Sequence, residues 1–221
     1  MTEPATRQGS RQDRRRRKTR NALITATQEL IAEVGLEFSV AAVAERADVA
    51  LGTLYNHFSG KQDLIEAATI AAATEVEAYL TARTADVGDP ILSAVFRPRL
   101  HGRIATSHPM LAKVLVRTSL EFPNLQDPIR VHAPQVTEQL RDLAPGISSE
   151  QLRVLLTMTT STTRHLIAQQ LDHPDLGPED VDQMMELVLL LAGQTPQRAK
   201  DLAFAPLPPW PTPPATARPT S

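Results

Sequence analysis

The chain has 221 residues, no cysteine and a formal net charge of -2, and 42% of its residues are hydrophobic but only 4% aromatic. That size and apolar content suffice for a real core, as one large domain or a small one fused to a larger one. The lack of cysteine excludes disulfides, thiolate metal ligands and cysteine nucleophiles. Few aromatics beside abundant Leu, Ala and Val point to an all-α fold rather than a sandwich of strands.

The charge is unevenly placed. Residues 1–61 carry ten Lys and Arg against seven Asp and Glu, a net of +3, which leaves -5 on the rest, so one end is expected to meet a polyanion. The longest apolar run, Leu187 to Ala192, is far short of a membrane span of about 20 residues. The arginine-rich start lacks the apolar stretch of a signal peptide, and a cytoplasmic location without membrane partners is expected.

Residues 1–13 are polar and are expected to form a disordered tail. From about Arg14, Leu23, Ala26, Thr27, Leu30, Ile31 and Val34 recur at helical spacing, and Gly35 can close that helix in the left-handed conformation. Ser39 is an N-cap for a second helix running to about Ala47, with Phe38 stapled on Val43. Asp48 falls where the following turn needs positive φ, which Asp tolerates. A third helix is expected over Leu51 to Phe58, with Leu54 and Phe58 inward, Thr53, Asn56 and His57 outward and Tyr55 at the rim. Ser59 with Gln62 suggests a capping box for a fourth, long helix whose stripe runs from Leu64 past Tyr79.

Beyond Asp86, cap-like residues beside prolines, together with the capping box Ser148 and Gln151, place helix starts near Pro90, Pro109, Pro128, Ser149 and Pro178. Pro98 should kink or end the first of these. No stretch alternates apolar and polar residues over strand length. After Phe204 prolines dominate, and an extended, disordered tail is expected over 205–221.

A helix, a tight turn and a second short helix over Ala44 to Lys61 fit a helix-turn-helix, which lays its second helix in the DNA major groove. Such binding needs cations for the phosphates and side chains aimed at the groove floor. The anchors are Arg14, Arg15, Arg16, Arg17, Lys18 and Lys61 with the hydroxyls of Ser39, Thr53 and Tyr55. The arginine arm either reaches the adjacent minor groove or thickens the positive field. Gly52 lets the helix approach a base closely, and Asn56 can pair with a base edge or donate to a phosphate. Tyr55 could equally be a packing aromatic, and His57 an ordinary surface histidine.

The stripe ending at Gly35, the stretch Ala44, Glu45, Arg46 and Ala47, and above all Gly52 through Phe58 followed by Lys61 resemble the N-terminal domain of the TetR family of bacterial transcriptional regulators. The resemblance covers residues from about Thr19 to Glu66. It implies that Thr53, Tyr55, His57 and Lys61 contact phosphates, that Gly52 and Asn56 lie nearest the bases, and that Leu54 and Phe58 are core. The family often has Ser at the cap of the third helix and a polar residue next, whereas here Ala50 and Leu51 stand there.

The resemblance also implies a helical C-terminal domain that binds a small effector and forms a homodimer, giving a DNA-binding domain over 14–66 and an effector and dimerisation domain over 67–204. Leu155, Val181, Met184, Met185, Val188 and Leu191 are the candidate dimer residues, because the helix they mostly occupy is apolar nearly all round. The candidate effector-binding residues are Arg97, His101, Arg103, Met110 and Val114, then Arg117, Phe122, Met158, Arg164 and His165. A cation among apolar groups suits an acidic or carbonyl-bearing ligand. His101, His108, His132 and His165 lack metal-ligand spacing, so neither a metal nor another cofactor is expected.

The expected protein is thus a homodimeric repressor released from a palindromic operator by a small molecule. One alternative is a DNA-binding regulator worked by a protein partner or acting architecturally. An enzyme is the other, disfavoured because no nucleophile has a recognisable base and no phosphate loop is present.

Overall fold

A computed structural model describes residues 5–119, 141, 144, 146–173 and 175–209, with side chains from residue 11 onward. Among these residues there are ten helices and no strands. They are α1 (Ala5–Val34), α2 (Val40–Arg46), α3 (Leu51–Tyr55), α4 (Lys61–Thr84), α5 (Pro90–His101), α6 (Ile104–Ser107), α7 (Pro109–Thr118), α8 (Ser149–Asp172), α9 (Glu179–Leu191) and α10 (Pro196–Ala203). No described helix is long and apolar enough to cross a membrane. The chain divides into two compact units, residues 1–74 with 108–127 and residues 75–107 with 128–221.

In unit one, α1 begins at Ala5 instead of near Arg14. Arg, Lys and Gln are good helix formers, and once a nucleus exists each added residue gains a hydrogen bond, so the helix runs upstream of its apolar stripe. It closes where expected: Gly35 has φ 74, and its N–H bonds the Ile31 carbonyl at 3.0 Å. Leu23, Ile31, Val43, Leu54, Leu64 and Ala68 are fully enclosed in the core of this unit, each large side chain contributing roughly 1.5–3 kcal/mol by burial. A later helix, α7, packs along α1 and adds Leu111, Ala112 and Val114 to that core. Unit one is therefore larger than the 14–66 segment read from the sequence.

Unit two is built on α5, α8, α9 and α10. Asp89 caps α5 by accepting from the Ile91 N–H at 2.8 Å. The capping box opening α8 is complete, with Gln151 N–H to Ser148 Oγ at 3.2 Å and Ser148 N–H to Gln151 Oε1 at 2.9 Å. Val95, Met185, Leu189, Ala199 and Ala203 form one core cluster.

Several expectations change. Of the two outcomes expected at Pro98, a kink or an end, the end is excluded, because Pro98 lies inside α5, which continues to His101. One missing N–H is tolerated there because the buried residues Val95, Phe96, Arg99 and Leu100 hold both sides of the proline in place. Helices α6 and α10 were not expected, although Thr195 before Pro196 is the same cap and proline signal read elsewhere, and Thr195 Oγ1 accepts from the Arg198 N–H at 3.4 Å. The helix expected from Pro128 lies outside the described residues. Of the proline-rich tail, residues 205–209 are described and are not free: Arg99 Nη1 donates to the Ala205 carbonyl at 2.7 Å, and Arg83 Nη2 donates to the Pro208 carbonyl.

Candidate DNA-binding interface

Helix α2 is capped by Ser39, whose Oγ accepts from the Ala42 N–H at 3.1 Å. Its outer side is tied to α1 by Arg46, which bonds Glu33 at 2.8 and 2.9 Å and Glu29 at 3.3 Å. The hydrogen bond from Arg46 holds the Glu33 carboxyl below its ordinary value. The turn then reverses at Asp48, the one described residue other than glycine with positive φ, at 53. The Val49 N–H bonds the Ala44 carbonyl at 3.0 Å and completes the turn.

Helix α3 is shorter than expected, Leu51–Tyr55, with Asn56 as its C-cap. The chain past Tyr55 keeps one more helical turn of bonds, His57 N–H and Phe58 N–H both reaching the Leu54 carbonyl at 2.9 and 3.0 Å, so that Leu54 and Phe58 are buried on the same side. Ala50 provides no side-chain cap, as its identity dictates. The capping contact of α4 is shifted by one residue from expectation, since Asp63, not Gln62, accepts from the Ser59 N–H at 2.9 Å and hydroxyl at 3.2 Å.

The outer face of α3 presents Leu51, Gly52, Tyr55 and Asn56, all exposed, with Thr53 and His57 half-buried beside them. A Cβ added at Gly52 would meet nothing within 4 Å. Glycine inside a helix costs about 1 kcal/mol relative to alanine, and no packing within the protein asks for it. The space that Gly52 leaves open is thus available to something outside the chain. Two cations stack on aromatic rings of the same unit. The Arg20 guanidinium lies 5.0 Å from the centroid of the Phe58 ring, and the Lys61 ammonium 5.0 Å from that of Phe38. Arg14, Arg15, Arg16, Arg17 and Lys18 are exposed further along α1, and the Ser39 hydroxyl is exposed at the start of α2. Leu51 is the residue that sequence reasoning missed: an apolar side chain 43% exposed on this face, one turn before Tyr55. Its departure from the polar residue usual in the family was the available signal.

The ten candidate effector residues do not form one group. Met110, Val114 and Arg117 belong to unit one. Val114 is fully buried in its core, and Arg117 Nη1 donates to the Ile31 carbonyl at 2.6 Å near the carboxyl end of α1, where a cation is favoured. Phe122 lies outside the described residues. In unit two, Arg103 is committed to structure: it bonds Asp182 at 2.7 and 3.0 Å and the Arg99 carbonyl at 2.8 Å. Met158 and His165 are exposed on α8. Arg97 pairs with Glu77. His101 lies beside them; its burial and the charge of Arg164 push its pKa down to about 4, with Arg97 adding to that effect and Glu77 opposing it. Arg97, His101 and Arg164 are thus the three candidates that the fold draws together.

An apolar cavity of about 30 Å³ in unit two is lined by Leu152, Leu155, Met185, Val188 and their neighbours, and by none of the ten effector candidates. Small-molecule pockets are roughly ten times larger or more. The dimer candidates need correction as well. Val181 and Met185 are buried in the protomer's own core, and Met184 and Val188 pack against it. Leu191 is 62% exposed, and with it Leu187 and Leu190 on α9 and Val154 and Met158 on α8 show large apolar surface. A helix apolar nearly all round carries an inner and an outer face at once, and periodicity alone does not separate them.

The fold and this face define a helix-turn-helix DNA-binding domain joined to a helical C-terminal region. Residues 23–68 match the family of bacterial regulatory proteins, tetR family, a match that lies within the N-terminal domain. No protein of curated function matches the chain by sequence. Among solved structures, it is similar to RolR without ligand, at 22% identity and a TM-score of 0.61 over 86% of this chain and 99% of that one. RolR in complex with resorcinol gives 23% identity and a TM-score of 0.56 over 90% and 99%. A putative transcriptional regulator from Pseudomonas aeruginosa PAO1 gives 18% and 0.62 over 81% and 92%. At these identities the likeness is one of fold.

Proposed function

We propose that the protein is a homodimeric repressor that binds a palindromic operator through α3 and is released by a small effector. The observation that carries the DNA-binding part is the outer face of α3, where an unobstructed Gly52 sits among Leu51, Tyr55 and Asn56, with Lys61 and the cations of α1 in the same unit. Thr53, Tyr55, His57, Lys61 and Ser39 are assigned to phosphates, with the Arg14 to Lys18 cluster adding to the positive field. Gly52 and Asn56 are assigned to base edges, and Leu51 to the methyl group of a thymine. Two such faces in a two-fold dimer would read half-sites about one DNA turn apart, roughly 34–36 Å.

The dimer contact is assigned to the exposed apolar residues Leu187, Leu190 and Leu191 of α9 with Val154 and Met158 of α8. This replaces the buried residues named from the sequence. The effector site is assigned to unit two around Arg97, Arg164 and the uncharged imidazole of His101; the two guanidinium groups suit an acidic or carbonyl-bearing molecule. RolR has been solved with resorcinol, which gives a phenol as a first compound to try. Effector binding would act by favouring a separation of the two α3 helices that no longer fits successive major grooves, with α4 as the connection.

The test is footprinting of the purified protein on the DNA flanking its own gene. A protected palindrome is expected. Tyr55→Ala and Lys61→Ala should weaken binding to every sequence alike, and Asn56→Ala should change base preference. Unchanged affinity in all three variants would remove α3 from the groove. Val154→Glu with Leu191→Glu should give a monomer in sedimentation; an unaltered dimer would place the contact elsewhere.

A further inference from the structure

The basic arm is a helix, and that decides how it can meet DNA. Residues 11–18 lie within α1 and are exposed all round, ahead of the first core residue of that helix, Leu23. Arg11, Arg14, Arg15 and Lys18 stand at i, i+3, i+4 and i+7, which is one stripe along a helix. Seven residues at about 1.5 Å each span about 10 Å, the rise of about three base pairs at 3.4 Å per step. The root of the arm is fixed by Arg20, stacked on Phe58 just beyond α3, so the arm leaves unit one beside the carboxyl end of the recognition helix.

Local physics works against this helix in isolation. Like charges three and four residues apart repel each other. Asp13 is the one acidic residue between Arg11 and Lys18. The countercharge must come from outside, and the polyanion already expected at the neighbouring face supplies it.

We infer that residues 11–18 act as a cationic helix laid along the sugar–phosphate backbone next to the groove that α3 occupies, a second and sequence-independent contact. An extended arm threaded into the minor groove would need the chain unwound over these residues. The inference rests on the reading of α3 as the DNA-binding element.

The experiment measures affinity for a 40-base-pair duplex from the flanking DNA and for an unrelated duplex of the same length, across a range of salt. The variant Arg11→Gln, Arg14→Gln, Arg15→Gln, Lys18→Gln should weaken both alike and reduce the slope of log affinity against log salt by about 3.6 for each arm fully engaged. Its folding is checked by the melting temperature, which should not fall, because all four side chains are exposed and their removal relieves like-charge repulsion. Arg16→Pro, which breaks the helix off the stripe, should weaken binding at least tenfold more than Arg16→Gln, which removes the same charge. If the unaltered protein binds neither duplex, the reading of α3 fails and this inference falls with it. Binding with an unchanged slope in the quadruple variant overturns the inference alone. Equal affinities for Arg16→Pro and Arg16→Gln overturn the helical mode in favour of an extended arm.

Discussion

Arg99 on α5 and Asp182 on α9 are paired in the interior of unit two, with Nε 2.8 Å from Oδ1 and both side chains buried. Burial would raise the Asp182 carboxyl, but hydrogen bonds from Arg103 and Arg99 outweigh it and hold the group below its ordinary value. Arg99 also reaches the Ala205 carbonyl, so one guanidinium joins α5, α9 and the start of the proline-rich tail. Asp182→Ala strands a buried guanidinium and should cost roughly 3–5 kcal/mol in urea unfolding. Arg103→Ala should cost less, about 1–2 kcal/mol, because that side chain still meets solvent. Equal losses would show that the two arginines are not distinguished by burial.

Gly102 marks the place where α5 ends against α9. A Cβ there would lie 2.8 Å from Val181 Cγ1, and Val181 is itself fully buried with no room to withdraw. Gly102→Ala is therefore expected to lower stability by about 1–3 kcal/mol, although alanine is normally the better helix residue. Thermal unfolding of this variant beside Gly102→Ala, Val181→Ala should show the loss partly recovered in the double variant.

His101 makes stability depend on pH. The unfolded chain takes up a proton near the ordinary value of 6.5, while the folded chain resists until about 4. Its contribution is complete above about pH 6.5 and is lost as pH falls toward 4, by at most about 3 kcal/mol. Unfolding free energies at pH 7 and 4.5 should differ less in His101→Gln than in the unaltered protein. A parallel pH dependence in the two would mean that carboxylates, not this imidazole, govern the acid side.

Asp48 carries the turn between α2 and α3 at φ 53. A β-branched residue is strongly disfavoured there, so Asp48→Val should cost about 1–2 kcal/mol, while Asp48→Gly should stay within about 0.5 kcal/mol of the starting protein. Calorimetry of the two variants checks the ordering. A tolerated valine would show that the turn relaxes to negative φ.

The helix-turn-helix was legible because its signals are local. Gly35, Ser39 and Asp48 each act on the backbone within a few residues, and Leu54 with Phe58 fixes which side of α3 faces inward. The C-terminal half was legible only as far as its caps. Ser148 with Gln151 located the start of α8, and Asp89 with Pro90 that of α5, because a cap completes its bonds inside one turn. Arg103 and Arg117 were read as ligand groups, yet each meets its partner 79 or 86 residues away, and no spacing rule reaches that far.

What the amino-acid sequence determined by itself is therefore the helix-turn-helix end: the presence and order of α1 to α4, though not all of their limits, the turn at Asp48 and the face that carries Tyr55 and Asn56. Hydrogen-bonding and helical periodicity act over short stretches of chain, and here they were enough. Only the tertiary structure decided that α7 joins the core of unit one, that Val181 and Met185 belong inside while Leu187 and Leu191 remain outside, and that Arg99 holds the tail. Those outcomes depend on which surfaces meet across distant parts of the chain, and burial is settled by that meeting, not by the order of residues along one helix.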